Sequence, residues 1–328
     1  MAKESLVAQS ARGGPKKTFT LSNENGRSDL SWLGWLPFWG MYTLVFMTHS
    51  ALTTGDYLFP MWAMFCFLTV IDLCFRDESN PLPEDRKEHK DKTHWRLPLI
   101  VWVPTQLALS TFALHHYLTT EMSAGAQFGL FLLMGLVCGG GGINIAHELG
   151  HKRSKFERNL SRVLLSQVCY AHFCEEHNRG HHSNVGTRLD KASAQLGQTV
   201  FEFVPQSVWG GIMHLWHTNR PALTEAVTIN VAGACFYAAM AVYWQASVLT
   251  GLSYWALQSV VAVTLLEFIN YVEHYGLRRK EVSPGVFEKV TVLHSWNATQ
   301  SLSNWLLFKL VNFWALQRCV CVCACVCV

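Results

Sequence analysis

The chain has 328 residues, half of them hydrophobic and only 15% charged, well below the ~25% usual for a soluble domain. Its 26 basic and 23 acidic residues nearly balance, which excludes a charged disordered tail and the basic stripe of a nucleic-acid binder. Charge is instead absent in long blocks. No Asp, Glu, Lys or Arg occurs from Leu30 to Gly55, Tyr57 to Ile71, Leu97 to Thr120, Met122 to His147, or Ala226 to Leu266.

Residues 1–29 form a polar segment with Gly13, Gly14 and Pro15 beside Lys16 and Lys17. It has no apolar core of the signal-peptide kind and is expected to be a retained, flexible N-terminal arm. The uncharged blocks that follow have membrane lengths, since about 20 apolar residues cross a bilayer. The last block, 226–266, is long enough for two spans joined near Thr250-Gly251. Six spans are therefore predicted, the second being the weakest because Asp72 interrupts it and Pro60 lies near its start. All 26 Lys and Arg fall in the N-terminal arm, the second and fourth loops or the C-terminal segment. The positive-inside rule then makes the termini and the large loops cytoplasmic. The fold class expected is an all-α, polytopic membrane protein with six transmembrane helices: the arm at 1–29, a six-helix domain at 30–318, and a Cys/Val tail at 319–328.

On the first span, Trp32, Trp35 and Trp39 share one helical face, suited to lipid contact, packing or a cavity wall. The fourth span carries Gly139, Gly140, Gly141 and Gly142, which permit close approach of a neighbouring helix or of a slender alkyl chain. Of the 15 histidines, His49, His115 and His116 lie at the outer ends of spans and suit interfacial roles. Ten others fall between Ala146 and Trp296, and six of these form three groups. His147 and His151, in HELGH, stand at i and i+4 at the end of the fourth span, on one helical face and able to meet one metal. His177 and His181, in EHNRGHH, repeat that spacing, and His182 adds an adjacent imidazole. His274 ends the sixth span in NYVEHYGL. Spans four and six finish on the same side, so the groups can converge into a histidine-rich, cytoplasmic-side metal site. Imidazole suits iron, copper, zinc and nickel, and six rings exceed what one tetrahedral zinc can use, which points to two ions. Glu148, Glu175, Glu176 and Glu273 neighbour these histidines and are candidates to orient the rings from behind. The basic run Lys152, Arg153, Lys155 and Arg158 suits either attraction of an acidic electron carrier or positive-inside anchoring. Six cysteines are scattered and five crowd the last ten residues, so neither a disulfide framework nor a Cys-type zinc site follows.

HELGH is also a literal H-E-x-x-H, the signature of a zinc protease, and an intramembrane protease is the remote alternative. That chemistry leaves EHNRGHH and NYVEHYGL unexplained. Taken together, HELGHK (147–152), EHNRGHH (176–182), DKASA (190–194), NYVEHYGL (270–277), HSWN (294–297) and LQR (316–318) resemble the integral-membrane alkane hydroxylases, a branch of the membrane fatty acid desaturase and hydroxylase superfamily. The resemblance implies a non-haem diiron centre with two iron ions that uses O2 to hydroxylate the terminal carbon of an alkane or alkyl chain drawn from the lipid phase. It also implies a six-span membrane protein and electrons from a rubredoxin-like donor; the cytoplasmic placement of the metal site rests on the positive-inside rule. His147, His151, His177, His181, His182 and His274 match iron ligands of that family. An acyl desaturase or hydroxylase of the same superfamily, or an inactive membrane scaffold, are the alternatives. The departure comes after LQR, where the family has a third box of three histidines and this chain reads CVCVCACVCV. A TGTGTG repeat translates to that pattern, so the tail reads as a frame shift into a dinucleotide repeat, the alternative being replacement thiolate ligands. Without the third box, the chain is expected to be impaired as written.

Overall fold

The computed structural model describes residues 39–74 and 93–296, all within one compact unit. The N-terminal arm, Trp32, Trp35, the LQR motif and the Cys/Val tail lie outside the described residues. The described part is mainly helical. Helix α1 spans Thr43–Thr54 and α2 Phe59–Cys74; Gly55, with φ of 76°, ends α1 in the left-handed conformation that closes a helix. Helix α3 spans Thr93–Thr119. Helix α4 runs continuously over Ala124–Gly150, capped at its start by the Ser123 side chain, which accepts from the Ala126 N–H at 3.2 Å.

After α4 the chain forms the amphipathic α5 (Lys155–Ser166), a string of short helical turns from Phe173 to Asn184, and α6 (Val200–Thr218). Reciprocal hydrogen bonds between Thr199 and Glu202 fix the start of α6. Helices α7 (Arg220–Tyr243) and α8 (Val248–His274) follow, then a small antiparallel ribbon, β1 (Glu281–Ser283) with β2 (Val286–Phe287).

Four of the described helices are long and apolar enough to cross a membrane: residues Arg96–Thr119 of α3, and α4, α7 and α8. The join between the last two corrects the sequence expectation. It falls at Trp244–Ser247, where the chain turns through Gln245 at φ 60°. Thr250 and Gly251 already belong to the first turn of α8, whose cap is Ser247. Gly251 serves packing instead of turning: a Cβ there would lie 2.8 Å from the Ala241 Cβ of α7.

Helix α4 is the buried centre of this arrangement. Its glycine run, Val137–Ile143, is wound as a π-helix, a wider turn that occurs where local geometry serves a site. A Cβ on Gly139 would lie 2.8 Å from the Ala262 carbonyl oxygen of α8, and one on Gly141 would lie 2.6 Å from the Trp102 ring of α3. The glycines thus bring neighbouring helices close, and Trp102, Gln106 and Ala262 occupy the space an alkyl chain would need. Several polar side chains inside the bundle pair with one another, whereas Tyr254 Oη and Gln106 Nε2 find no hydrogen-bond partner among the described residues. The Trp102 indole donates to Gln106 at 2.8 Å, and Gln258 donates to Tyr237 Oη, which donates to Gln167 Oε1.

Candidate metal centre

The last turn of α4 carries His147, and His151 follows as its C-cap. One helical turn apart, their Nε2 atoms lie 3.0 Å from each other. The second group departs from the spacing expected. Glu176–His181 is π-helical, and the His182 N–H bonds the His177 carbonyl, so the widened turn pairs His177 with the residue five positions on. Their ring centroids are 4.4 Å apart. His177 Nε2 reaches His147 Nε2 at 2.8 Å, and one ligand nitrogen from each of His147, His151, His177 and His182 lies within 4.8 Å of the others.

His181 stands beside this group, its ring stacked on His177 with centroids 5.1 Å apart. It is buried, and its Nδ1 meets Asp190 Oδ2 at 2.9 Å, while its ring lies 4.9 Å from that of His274. His274, also buried, directs Nδ1 to the backbone carbonyl of His294 at 3.1 Å. Both hydrogen bonds fix the same tautomer and leave Nε2 as the free lone pair. The six histidines therefore divide into a converged group of four and a neighbouring pair.

The electrostatics favour neutral, metal-accepting rings at His177 and His182. Burial and the surrounding imidazoles push His177 well below the usual histidine pKa, and burial beside His181 takes His182 down to about 4. Burial also pulls on His181, but the Asp190 carboxylate outweighs it and holds that ring above its usual value. An all-imidazole set with facing Nε2 atoms fits iron and other borderline cations. The four converged rings suffice for one ion; the pair His181 and His274 supplies only part of a second.

The carboxylate that holds a ring is thus Asp190, in the DKASA stretch, which residue spacing alone does not single out. Its Oδ1 accepts from the Ala192 N–H at 3.0 Å, and its Oδ2 also accepts from Ser193 Oγ. The candidates beside the histidines are engaged elsewhere. Glu148 accepts from Lys152 Nζ at 2.6 Å and Glu273 from Ser295 Oγ at 2.8 Å. Glu175 takes Arg179 and the Asn219 amide. Glu176 points into a small cavity behind His177, about 10 Å³, room for about one water, and burial lifts its carboxyl to about 7. His172 lines the same cavity, and among the described residues its Nε2 has no hydrogen-bond partner. Glu267 closes it from α8 and accepts from Tyr170 Oη at 2.8 Å. A signal existed for Glu267 alone, as a carboxylate that ends an otherwise apolar span.

The loop around HSWN acts as a brace. His294 Nδ1 accepts from the Thr291 N–H, its Nε2 faces Glu288, and its carbonyl takes the His274 ring. Arg279 ties this segment to the second histidine group by donating to the Ser183 carbonyl at 3.0 Å. The outer histidines stand apart, His116 against Tyr57 Oη at 2.8 Å and His115 against the Trp244 ring.

Comparison with known proteins gives a consistent picture. Residues 123–311 match the fatty acid desaturase family. Alkane 1-monooxygenase 2 of Pseudomonas aeruginosa is 34% identical over 265 residues, covering 75% of this chain and 68% of that protein. Its namesake in Alcanivorax borkumensis is 31% identical over 296 residues, covering 84% of this chain and 77% of that protein. Alkane 1-monooxygenase 1 of P. aeruginosa is 34% identical over 266 residues, covering 76% and 68%.

Proposed function

This chain belongs to the fatty acid desaturase family and, within it, to the alkane 1-monooxygenases, and on that premise we propose that it carries a non-haem diiron centre on His147, His151, His177, His181, His182 and His274. It is a membrane oxidoreductase that hydroxylates the terminal carbon of an alkane or alkyl chain with O2. The observation that carries the metal assignment is the convergence of four ring nitrogens within 4.8 Å at the end of a span.

Bound iron would supply the activation of dioxygen; the chain's own residues prepare the place. The α4 turn and the π-helical turn bring four imidazoles to one point. Asp190 holds the Nδ1 proton of His181, and the His294 carbonyl does the same for His274, so each ring presents Nε2. Phe173 stacks on His177, ring centroids 4.9 Å apart, and keeps water from that flank. A site at the ends of apolar helices takes its substrate laterally from lipid, where alkanes partition.

The remaining features of the reading are a six-span topology with α1 and α2 as the first two spans, cytoplasmic termini, a cytoplasmic metal site and a rubredoxin-like donor. The confinement of all 26 basic residues to alternate loops supports the orientation. Among the described residues only His181 and His274 remain for a second ion, so with the third histidine box replaced by the Cys/Val run that ion is expected to be weakly held.

Metal analysis of the purified protein and its His→Ala variants, combined with product analysis, tests this reading. Iron lost on substitution at His147, His151, His177 or His182, with terminal alcohol formed from an alkane, is the expected result. One tightly held zinc, or double bonds in acyl lipids without alcohol, would overturn it.

A further inference from the structure

A second cavity, of about 670 Å³, opens where two of the candidate spans end. On one side is Gly150, the last residue of α4; on the other is the first part of α7 from Pro221 to Ile229. Five cations line it: Lys152, Arg153, Arg158, Arg162 and Arg179. Their counter-charges are unevenly placed. Arg162 pairs with Glu225 at 2.8 Å, Arg179 with Glu175 at 3.0 Å and Lys152 with Glu148 at 2.6 Å. Arg158 donates only to the carbonyls of Lys152 and Arg153, and among the described residues Arg153 has no side-chain hydrogen bond or ion pair. Two guanidiniums therefore face the cavity without a carboxylate, beside the positive N-terminal end of the 24-residue α7.

The wall supplied by α7 is mostly apolar, with Pro221, Ala222, Ala226 and Ile229 beside the Arg162-paired Glu225. Beyond it, α7 exposes Val227 and Val231, 53% and 55% accessible, as a helix facing lipid would. A cationic wall and an apolar wall meeting at the level where spans end call for an amphiphile with an anionic head. We propose that this cavity is a binding site for an anionic phospholipid, its phosphate taken by Arg153 and Arg158 and its acyl chain leaving along α7. A free phosphate gains nothing from the apolar wall. An acidic carrier protein would engage the exposed Arg153 and Arg179 but gains nothing from the apolar lining of the cavity.

The cavity contains none of the clustered histidines, but Gly150, Lys152 and Asn178 in its lining adjoin His151 and His177, so binding is measured on protein of known iron content. The experiment takes the full-length protein, delipidated in an uncharged detergent. Dioctanoyl phosphatidylglycerol, dioctanoyl phosphatidylcholine and inorganic phosphate are titrated separately, and bound molecules are counted by native mass spectrometry. Saturable binding of the glycerol lipid is expected, with phosphatidylcholine at least about tenfold weaker, as the loss of a net anionic charge facing two guanidiniums requires. Arg153→Gln should weaken it by about fivefold, and so should Arg158→Gln. Arg158→Gln also removes two backbone contacts, so the unpartnered Arg153 is the cleaner variant. Ile229→Trp, which fills the apolar wall, should abolish lipid binding while leaving the thermal unfolding midpoint of the lipid-free protein unchanged. Equal binding of the two lipids, phosphate binding as tight as the glycerol lipid, or an Arg153→Gln titration that matches the parent would each overturn the proposal.

Discussion

Asp190→Asn isolates the least anticipated element of the metal centre. The Asp190 side chain is fully buried and accepts from three donors: His181 Nδ1, Ser193 Oγ and the Ala192 N–H. Asparagine has the same shape but only one acceptor oxygen. Whichever way its amide turns, an NH2 group meets at least one of those donors, leaving a buried donor unpaired at a cost of about 1–3 kcal/mol. The His181 ring then loses both its anionic neighbour and its fixed tautomer, and loss of such a supporting carboxylate costs typically about 10–100-fold in metal affinity, or roughly 1.4–2.7 kcal/mol. The assay is iron per chain by plasma mass spectrometry over a chelator series, read beside the thermal unfolding midpoint. Ser193→Ala is the control, since it removes one donor and keeps the carboxylate. Affinity in Asp190→Asn should fall by at least tenfold at the more weakly held ion, with Ser193→Ala within about threefold of the parent. An Asp190→Asn protein that holds iron within twofold of the parent would refute the role given to Asp190.

The metal-free protein should lose stability on acidification from about pH 6.5 towards pH 4. His177 and His182 are depressed in the folded state, so the unfolded chain takes up protons first and acid favours unfolding; urea midpoints at pH 7 and pH 5 that coincide would contradict this. Gly139→Ala should destabilise the bundle by about 1–3 kcal/mol, because its Cβ would meet the Ala262 carbonyl oxygen at 2.8 Å; an unchanged melting temperature in detergent would show that α4 and α8 can separate at that level without cost. Single cysteines placed at Asp56 and Glu121 should react with an impermeant thiol reagent added from outside, and reaction only from inside would reverse the topology. Replacing residues 319–328 with a three-histidine box should raise bound iron and alkane oxidation, and a given chain that already matched the restored one would remove the tail as a defect.

What was legible in the sequence is what depends on neighbours in the chain. HELGH is a helical i, i+4 pair, and its two nitrogens meet at 3.0 Å because one turn of helix leaves no other outcome. The charge-free blocks gave the four long helices, since solvation cost alone forbids charges in lipid. The residues that matter through space were not legible. EHNRGHH carries the same i, i+4 spacing on paper, but its π-helical turn sends His177 and His182 to one point and His181 to another; hydrogen-bond pattern, not spacing, decides that. Asp190 lies nine residues from His181 in a segment of irregular backbone, where no periodicity says which way a carboxylate faces. The glycine run allowed either a helix or an alkyl chain as its neighbour, and only the bundle, by placing Trp102 and Ala262 there, chose the helix. Local geometry is written in residue spacing, whereas the partner of a buried polar group is set by which segments the fold brings together.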